Sequence, residues 1–106
     1  MITICIHGGA GTILKEDMTP ELEKAYLDGL QTALNAGYAV LEEGGTAVNA
    51  VKAAVVVLED NVLFNAGRGS VFTKKGTQEM DAAIMRGSDL EAGSVCGVRN
   101  VRNPVG

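Results

Sequence analysis

Asn65 stands in Phe64-Asn65-Ala66-Gly67-Arg68-Gly69-Ser70, inside a stretch from Asn61 to Ser70 that breaks helical spacing and holds two glycines two apart. A carboxamide carries both a donor and an acceptor, and glycines beside it let the backbone approach closely. The stretch is therefore either a turn built on a residue that tolerates unusual φ, or a loop that aims an amide at a ligand. His7 is the one histidine, so a serine–histidine or cysteine–histidine dyad within this chain must use it. It closes an alternating apolar run just before Gly8-Gly9-Ala10-Gly11, where a hydrogen-bonded structural imidazole competes with a general base. Asp81 falls inside the apolar run Met80-Asp81-Ala82-Ala83-Ile84-Met85, and a carboxylate buried there must be paired or hydrogen-bonded. It reads as an anchor for backbone N–H groups of a neighbouring loop, with a catalytic acid as the alternative. Glu59, Asp60 and Glu79 read as solvated charges, without the spacing of a carboxylate metal site. Cys5 and Cys96 lack a Cys-x-x-Cys spacing and sit in strand-like runs, so buried free thiols are expected, with a disulfide as the alternative.

Several chemistries are excluded by pattern. Neither Gly-x-Gly-x-x-Gly nor Gly-x-x-x-x-Gly-Lys-Ser/Thr fits residues 8–14, and no helix is expected to open there, so the glycine cluster is not a phosphate cradle. His7-Gly8-Gly9 is similar to an esterase oxyanion loop, but no Gly-x-Ser-x-Gly elbow exists to serve it. With 106 residues, 46% hydrophobic and 21% charged, the composition suits one modest core. A formal charge of -4 without a basic run argues against nucleic acid. The apolar run from Ala53 to Leu58 is too short to span a bilayer, and Met1-Ile2-Thr3 has no basic start, so a cytoplasmic protein without membrane association is expected.

The elements that must hold these residues follow from periodicity. Ile2, Ile4 and Ile6 alternate with Thr3, Cys5 and His7, predicting a buried strand. Thr19-Pro20 is an N-cap followed by Pro at N1, and Leu22, Ala25, Tyr26, Gly29, Leu30, Ala33, Gly37, Val40 and Leu41 then recur at helical spacing up to Gly44-Gly45. Gly29 and Gly37 on the apolar face predict close packing against a sheet or a second helix. Thr46 caps a second helix in which only Asn49 and Lys52 interrupt Ala47 to Leu58, so this helix is expected to be almost wholly buried. Lys74-Lys75-Gly76 predicts a hairpin turn between Ser70–Thr73 and Thr77–Ala83, and Met80–Met85 is expected to pair with Gly93–Asn100. The order β, α, α and antiparallel meander predicts a layered α/β structure lacking a layer. Asn103-Pro104 announces a further helix, so residues 1–106 are expected to be an incomplete single domain from the N-terminal part of a larger protein.

Four segments, in order and in register, resemble the N-terminal half of plant-type asparaginases, also called isoaspartyl peptidases. They are Ile6-His7-Gly8-Gly9-Ala10-Gly11, Phe64-Asn65-Ala66-Gly67-Arg68-Gly69-Ser70, Glu79-Met80-Asp81-Ala82 with Ile84-Met85, and Asn103-Pro104. The resemblance covers essentially the whole chain and departs at Arg86, where family members often carry Asp. It implies the αββα sandwich of the N-terminal nucleophile hydrolases, which would supply the missing layers. It also implies a precursor that cleaves itself before a threonine, whose hydroxyl, with its own α-amine as base, attacks asparagine or a β-aspartyl dipeptide. An α-amine of pKa about 8 can take that proton without a histidine.

None of Thr3, Thr12, Thr19, Thr32, Thr46, Thr73 or Thr77 sits in the Gly-Thr-Val-Gly-like context of the family nucleophile. By the resemblance, the nucleophile, the oxyanion donors and the substrate-binding arginine and aspartate all lie outside this chain. The chain then supplies support. Asn65 would lie beside the nucleophile and the loop from His7 through Gly8 and Gly9 to Gly11 would underlie the site, with Asp81 near it. Main-chain carbonyls of Leu58, Glu59, Asn61, Phe64, Ala66 and Arg68 would coordinate a structural sodium ion, and no organic cofactor is implied. The implied partner is a β-subunit carrying the threonine, in an (αβ)2 assembly. The alternatives are a glycosylasparaginase-like member of the same superfamily and a non-catalytic ion-binding or dimerisation module.

Overall fold

The computed structural model describes residues 1–9 and 13–106, so Gly11 lies outside the described residues. Two helices form where the caps predict them. Helix α1 runs Pro20–Glu42, with the Thr19 hydroxyl accepting from the N–H of Leu22 at 3.0 Å. Glu21 and Glu23 place negative charge on its positive N-terminus. It ends in a Schellman motif: the N–H of Gly45 reaches the carbonyl of Val40, that of Gly44 reaches Leu41, and Gly44 takes φ +81°. Helix α2 runs Ala47–Asp60, and the Thr46 hydroxyl accepts from Asn49 N–H at 3.1 Å.

The glycines on the inner face of α1 make two different contacts. At Gly37 a Cβ would collide with Ile4 Cδ1 and stand 2.9 Å from the carbonyl oxygen of Ala50, so this glycine lets α1 and α2 approach. At Gly29 a Cβ would meet Asn61 and Phe64, so this one seats the loop after α2 instead of a sheet or helix. Ala33, Leu58 and Phe64 form the buried centre, with Ile6, Tyr26, Leu30, Val57 and Leu63 packed around them. The rings of Tyr26 and Phe64 meet edge to face at 5.6 Å.

The antiparallel pair β1 (Met80–Met85) and β2 (Ala92–Val98) forms as the alternation predicts. Ahead of it, the Lys74-Lys75-Gly76 turn closes a single bridge between Phe72 and Gln78, tightened by Thr73 N–H donating to the Thr77 carbonyl at 2.7 Å. The register slips between Met80 and Ala82, where Gly97 adopts φ +62° and donates its N–H to Asp81 Oδ1 at 2.8 Å. This is a bulge held by a side chain. Among the described residues the chain is thus an α/β arrangement of two packed α-helices and a two-stranded antiparallel sheet, compatible with a layered fold.

Four expectations are corrected. Residues 1–9 form no ladder; Ile4 and Ile6 are half-buried and Ile2, Cys5 and His7 exposed, because no neighbouring strand among the described residues offers a paired edge. The arm lies instead over α2, enclosing about 180 Å³ with Val51, Ala54, Val55 and Leu58. Cys5 and Cys96 are free thiols as expected, but both are exposed. Helix α2 buries only Ala50, Ala54, Leu58 and Glu59, leaving Val51 exposed, since α1, the loop and the arm cover one side of it. The segment 103–106 is a turn, with Gly106 N–H donating to the Asn103 carbonyl.

Candidate functional site: the loop that follows α2

The loop after α2 is built from backbone hydrogen bonds. Asn61 leaves the helix with extended backbone, and its Oδ1 accepts from Leu63 N–H at 2.9 Å. Arg68 N–H then returns to the carbonyl of Glu59 at 2.7 Å, closing the loop on the last turn of α2. Gly67 and Gly69 are required for this closure. A Cβ on Gly67 would stand 2.6 Å from the Glu59 carbonyl oxygen, and one on Gly69 would collide with the carbonyls of Val62 and Phe64. The amide of Asn65 is exposed, and its Oδ1 accepts from Val71 N–H at 3.1 Å, spanning the mouth of the loop. Asn65 is in this sense a former of the loop, with its Nδ2 left to point elsewhere.

Glu59 departs from the sequence reading. It is 2% exposed, the largest fully buried side chain among the described residues, not a solvated charge. Its Oε2 accepts from Val105 N–H at 3.0 Å and its Oε1 from Asn103 Nδ2 at 3.3 Å. The cause is tertiary: the turn 103–105 folds over the end of α2 and brings its donors to a carboxylate that would otherwise be buried without partners. The neighbouring Asp60 takes Arg102 Nε at 3.2 Å and Asn103 Nδ2 at 3.0 Å. The hydrogen bonds from Arg102 and then Asn103 hold the Asp60 carboxyl below its ordinary range. Between this end of α2 and the hairpin lies an open cleft of about 800 Å³, lined by Arg68, Gln78, Arg99 and Arg102 among others. Arg99 faces Glu79 at 3.8 Å across solvent.

The expected site residues fall into two groups. Leu58 and Glu59 lie in the last turn of α2 and Asn61, Phe64, Asn65, Ala66 and Arg68 in the loop that follows it; the arm is docked beside them, with Ile6 and Phe64 packed in one cluster with Leu30, on which Gly8 also lies. His7 and Gly9 are exposed on that arm, Gly9 with φ +108°. Asp81 serves its own hairpin and has no hydrogen bond to the loop among the described residues. The side chain the sequence reading missed is Glu59. Its signal is the unbroken apolar run Val55-Val56-Val57-Leu58 that carries it inward, but the donors that satisfy it come from far along the chain.

Whether the loop suits a hard monovalent cation rests on its donors. The carbonyls of Leu58, Glu59, Asn61 and Phe64 each accept one backbone N–H, from Asn61, Arg68, Phe64 and Ala66 in turn, and a carbonyl keeps a second lone pair. The carbonyls of Ala66 and Arg68 accept none among the described residues. Among the described residues no three His, Cys, Asp or Glu side chains gather as a metal site, so any cation held here would be held by main-chain oxygen.

The sequence model of the family described as asparaginase matches residues 1–106. The chain belongs to the asparaginase family. Within it, the chain is 52% identical over 105 residues to a plant-type L-asparaginase of Pyrococcus abyssi, covering 99% of this chain and 33% of that protein. It is 49% identical over 102 residues to an isoaspartyl peptidase/L-asparaginase of Xenopus laevis, 96% of this chain and 31% of that one. An isoaspartyl peptidase of Escherichia coli is 46% identical over 102 residues, 96% of this chain and 32% of its own length. The chain therefore spans about a third of the length of the curated relatives it matches. No helix among the described residues is long and apolar enough to cross a membrane.

Proposed function

We propose that this chain is the N-terminal, α-subunit portion of a self-cleaving amidohydrolase that acts on L-asparagine and β-aspartyl dipeptides. The observation that carries the reading is the match to proteins named for these activities along the whole chain, including the loop that presents Asn65. The threonine that attacks lies outside this chain, in a β-subunit released by self-cleavage, and the assembly is (αβ)2 within an αββα sandwich. Its hydroxyl oxygen adds to the side-chain carbonyl while its α-amine takes the proton. Ammonia, or the amine of the dipeptide, then leaves with a proton, and water hydrolyses the ester to aspartate. Chemistry of this kind needs no organic cofactor.

In this reading the chain's own residues position that chemistry. Asn65 stands beside the nucleophile, its carbonyl oxygen fixed on Val71 N–H so that Nδ2 is free to donate. Sodium, held by the carbonyls of Leu58, Glu59, Asn61, Phe64, Ala66 and Arg68, fixes a loop that is otherwise anchored by Phe64 and a few backbone bonds. The arm through His7, Gly8 and Gly9 forms the floor, and Asp81 holds the adjacent hairpin in shape. What supports a carbonyl-coordinated ion is that the carbonyls of Ala66 and Arg68 accept no backbone N–H among the described residues. A cytoplasmic location fits two exposed free thiols, which a reducing compartment preserves. The 106 residues alone are then inactive.

The test is made on the full gene product. Mass spectrometry is expected to show two fragments, the second beginning with threonine, and the cleaved protein is expected to release ammonia from asparagine and aspartate from a β-aspartyl dipeptide. An intact chain that turns over neither substrate would overturn the proposal.

A further inference from the structure

We propose that Glu59 is a positioning residue: its carboxylate clamps the Asn103–Val105 turn to the underside of the loop that carries Asn65, so that the two segments hold one another in place. Among the described residues Glu59 is the one that bonds to both. Through its side chain it accepts from Val105 N–H at 3.0 Å and Asn103 Nδ2 at 3.3 Å. Through its backbone it accepts from Arg68 N–H at 2.7 Å, and Gly67 lies on that same carbonyl. From Gly67 the path continues to Ser70 N–H, which donates to the Gly67 carbonyl, and to Val71 N–H, which holds the Asn65 amide.

The chemistry explains why a carboxylate is needed at this position. Both partners are donors, one a backbone N–H and one a carboxamide NH2, and they arrive from the same segment. Only a group with two acceptor oxygens satisfies both. A glutamine would put an NH2 against one of the two donors, and an apolar side chain would leave Val105 N–H without its partner and Asn103 Nδ2 with Asp60 alone. No basic side chain is paired with Glu59 among the described residues, so its charge is carried by these neutral donors alone. The link spans 46 residues of sequence, which makes it a tie between segments and not a local cap.

The catalytic consequence rests on the proposed asparaginase reading; the mechanical tie does not. Hydrogen exchange on the full gene product tests the tie directly. In Glu59→Gln, exchange at Val105, Arg68 and Val71 is expected to rise about tenfold or more, the scale set by losing one charge-assisted bond, while amides around Ala33 in α1 keep their rates. Asn103→Ala removes one donor and leaves the carboxylate intact; it is expected to give the same pattern at smaller size, and serves if Glu59→Gln fails to fold. Three results would overturn the proposal: a rise at Val105 alone, an equal rise through α1, or no rise. In asparagine hydrolysis the same variants are expected to lose kcat about tenfold with KM within about twofold, since Asn65 is displaced without a substrate contact being removed. If the wild-type protein hydrolyses nothing, the asparaginase reading fails while the exchange pattern still decides the role of Glu59.

Discussion

Phe64 rests directly on the bare backbone of Gly29: a Cβ at position 29 would stand 2.9 Å from Phe64 Cε2 and 2.8 Å from Asn61 Nδ2. Both contacts belong to the loop, so the glycine sets how closely the loop sits on α1. Alanine is the better helix former by about 1 kcal/mol, but overpacking a close contact costs about 1–3 kcal/mol. Gly29→Ala is therefore expected to destabilise the protein by about 1 kcal/mol, read as a lower melting temperature. A higher melting temperature would show that the loop moves aside freely and is not held by this seat.

Part of this arrangement was legible in residue types alone. Thr19-Pro20 and Thr46 mark both helix starts because a cap is a local interaction, complete within four residues. Lys74-Lys75-Gly76 and the strand pairing after it were equally legible, since turn chemistry and period-2 patterning are local too. Burial is different. Glu59 looks like a solvent charge until the turn at Asn103–Val105 covers it, and Ile2-Thr3-Ile4-Cys5-Ile6 looks like a buried strand although no partner strand lies beside it among the described residues. Both depend on what packs against them, which no local pattern states. Asp81 reads in sequence as an anchor for backbone N–H groups of a neighbouring loop, whereas it accepts one N–H, that of Gly97 in its own hairpin, at an exposed position.

Asn65 separates stability from activity. Its Oδ1 accepts one bond from Val71 N–H at an exposed position, so Asn65→Ala is expected to cost only about 0.5–1.5 kcal/mol of stability. If the amide also serves the reaction, kcat in the full gene product is expected to fall by about two orders of magnitude, as for loss of an oriented donor. Equal fractional losses of stability and rate would assign Asn65 to the loop alone.

Gly97 makes a conformational prediction. Its φ of +62° lies in the left-handed region, which costs an ordinary L-residue about 1–2 kcal/mol and is tolerated best by asparagine. Gly97→Asn is expected to melt within a few degrees of wild type and Gly97→Val well below both. Asp81→Ala removes the carboxylate that holds the same bulge, and its loss is expected to overlap with that of Gly97→Val in a double-mutant cycle. Strict additivity would mean that the two residues act independently.

The Asp60–Arg102 pair is expected to contribute to the acid limb of stability. Hydrogen bonds from Arg102 and Asn103 lower the Asp60 pKa in the folded protein. A lowered folded value means that the contribution is present above the unfolded pKa of about 3.9 and is lost as pH falls through the folded value. Asp89 is lowered too, chiefly by its hydrogen bond from Arg86, and adds to the same limb. Arg102→Ala is expected to leave less stability at pH 7 and a shallower decline below about pH 4 in urea titrations. A decline as steep as in wild type would place the acid sensitivity elsewhere.

Sodium dependence distinguishes backbone coordination from side-chain coordination. A ligand that binds the folded state alone stabilises it by an amount that grows with its concentration over its dissociation constant, about 2.7 kcal/mol at a hundredfold excess. At constant ionic strength, replacing sodium with choline is therefore expected to lower the melting temperature of the full gene product. Arg68 contributes only its carbonyl in this scheme, so Arg68→Ala is expected to keep the sodium response. Gly69→Ala is expected to abolish it, because the added Cβ collides with the carbonyls of Val62 and Phe64 and must spread the loop. A sodium response lost in Arg68→Ala and kept in Gly69→Ala would place the ion on a side chain. An equal melting temperature in choline and sodium would mean that the loop holds its shape through the Phe64 anchor and the Glu59–Arg68 backbone bond, with no ion.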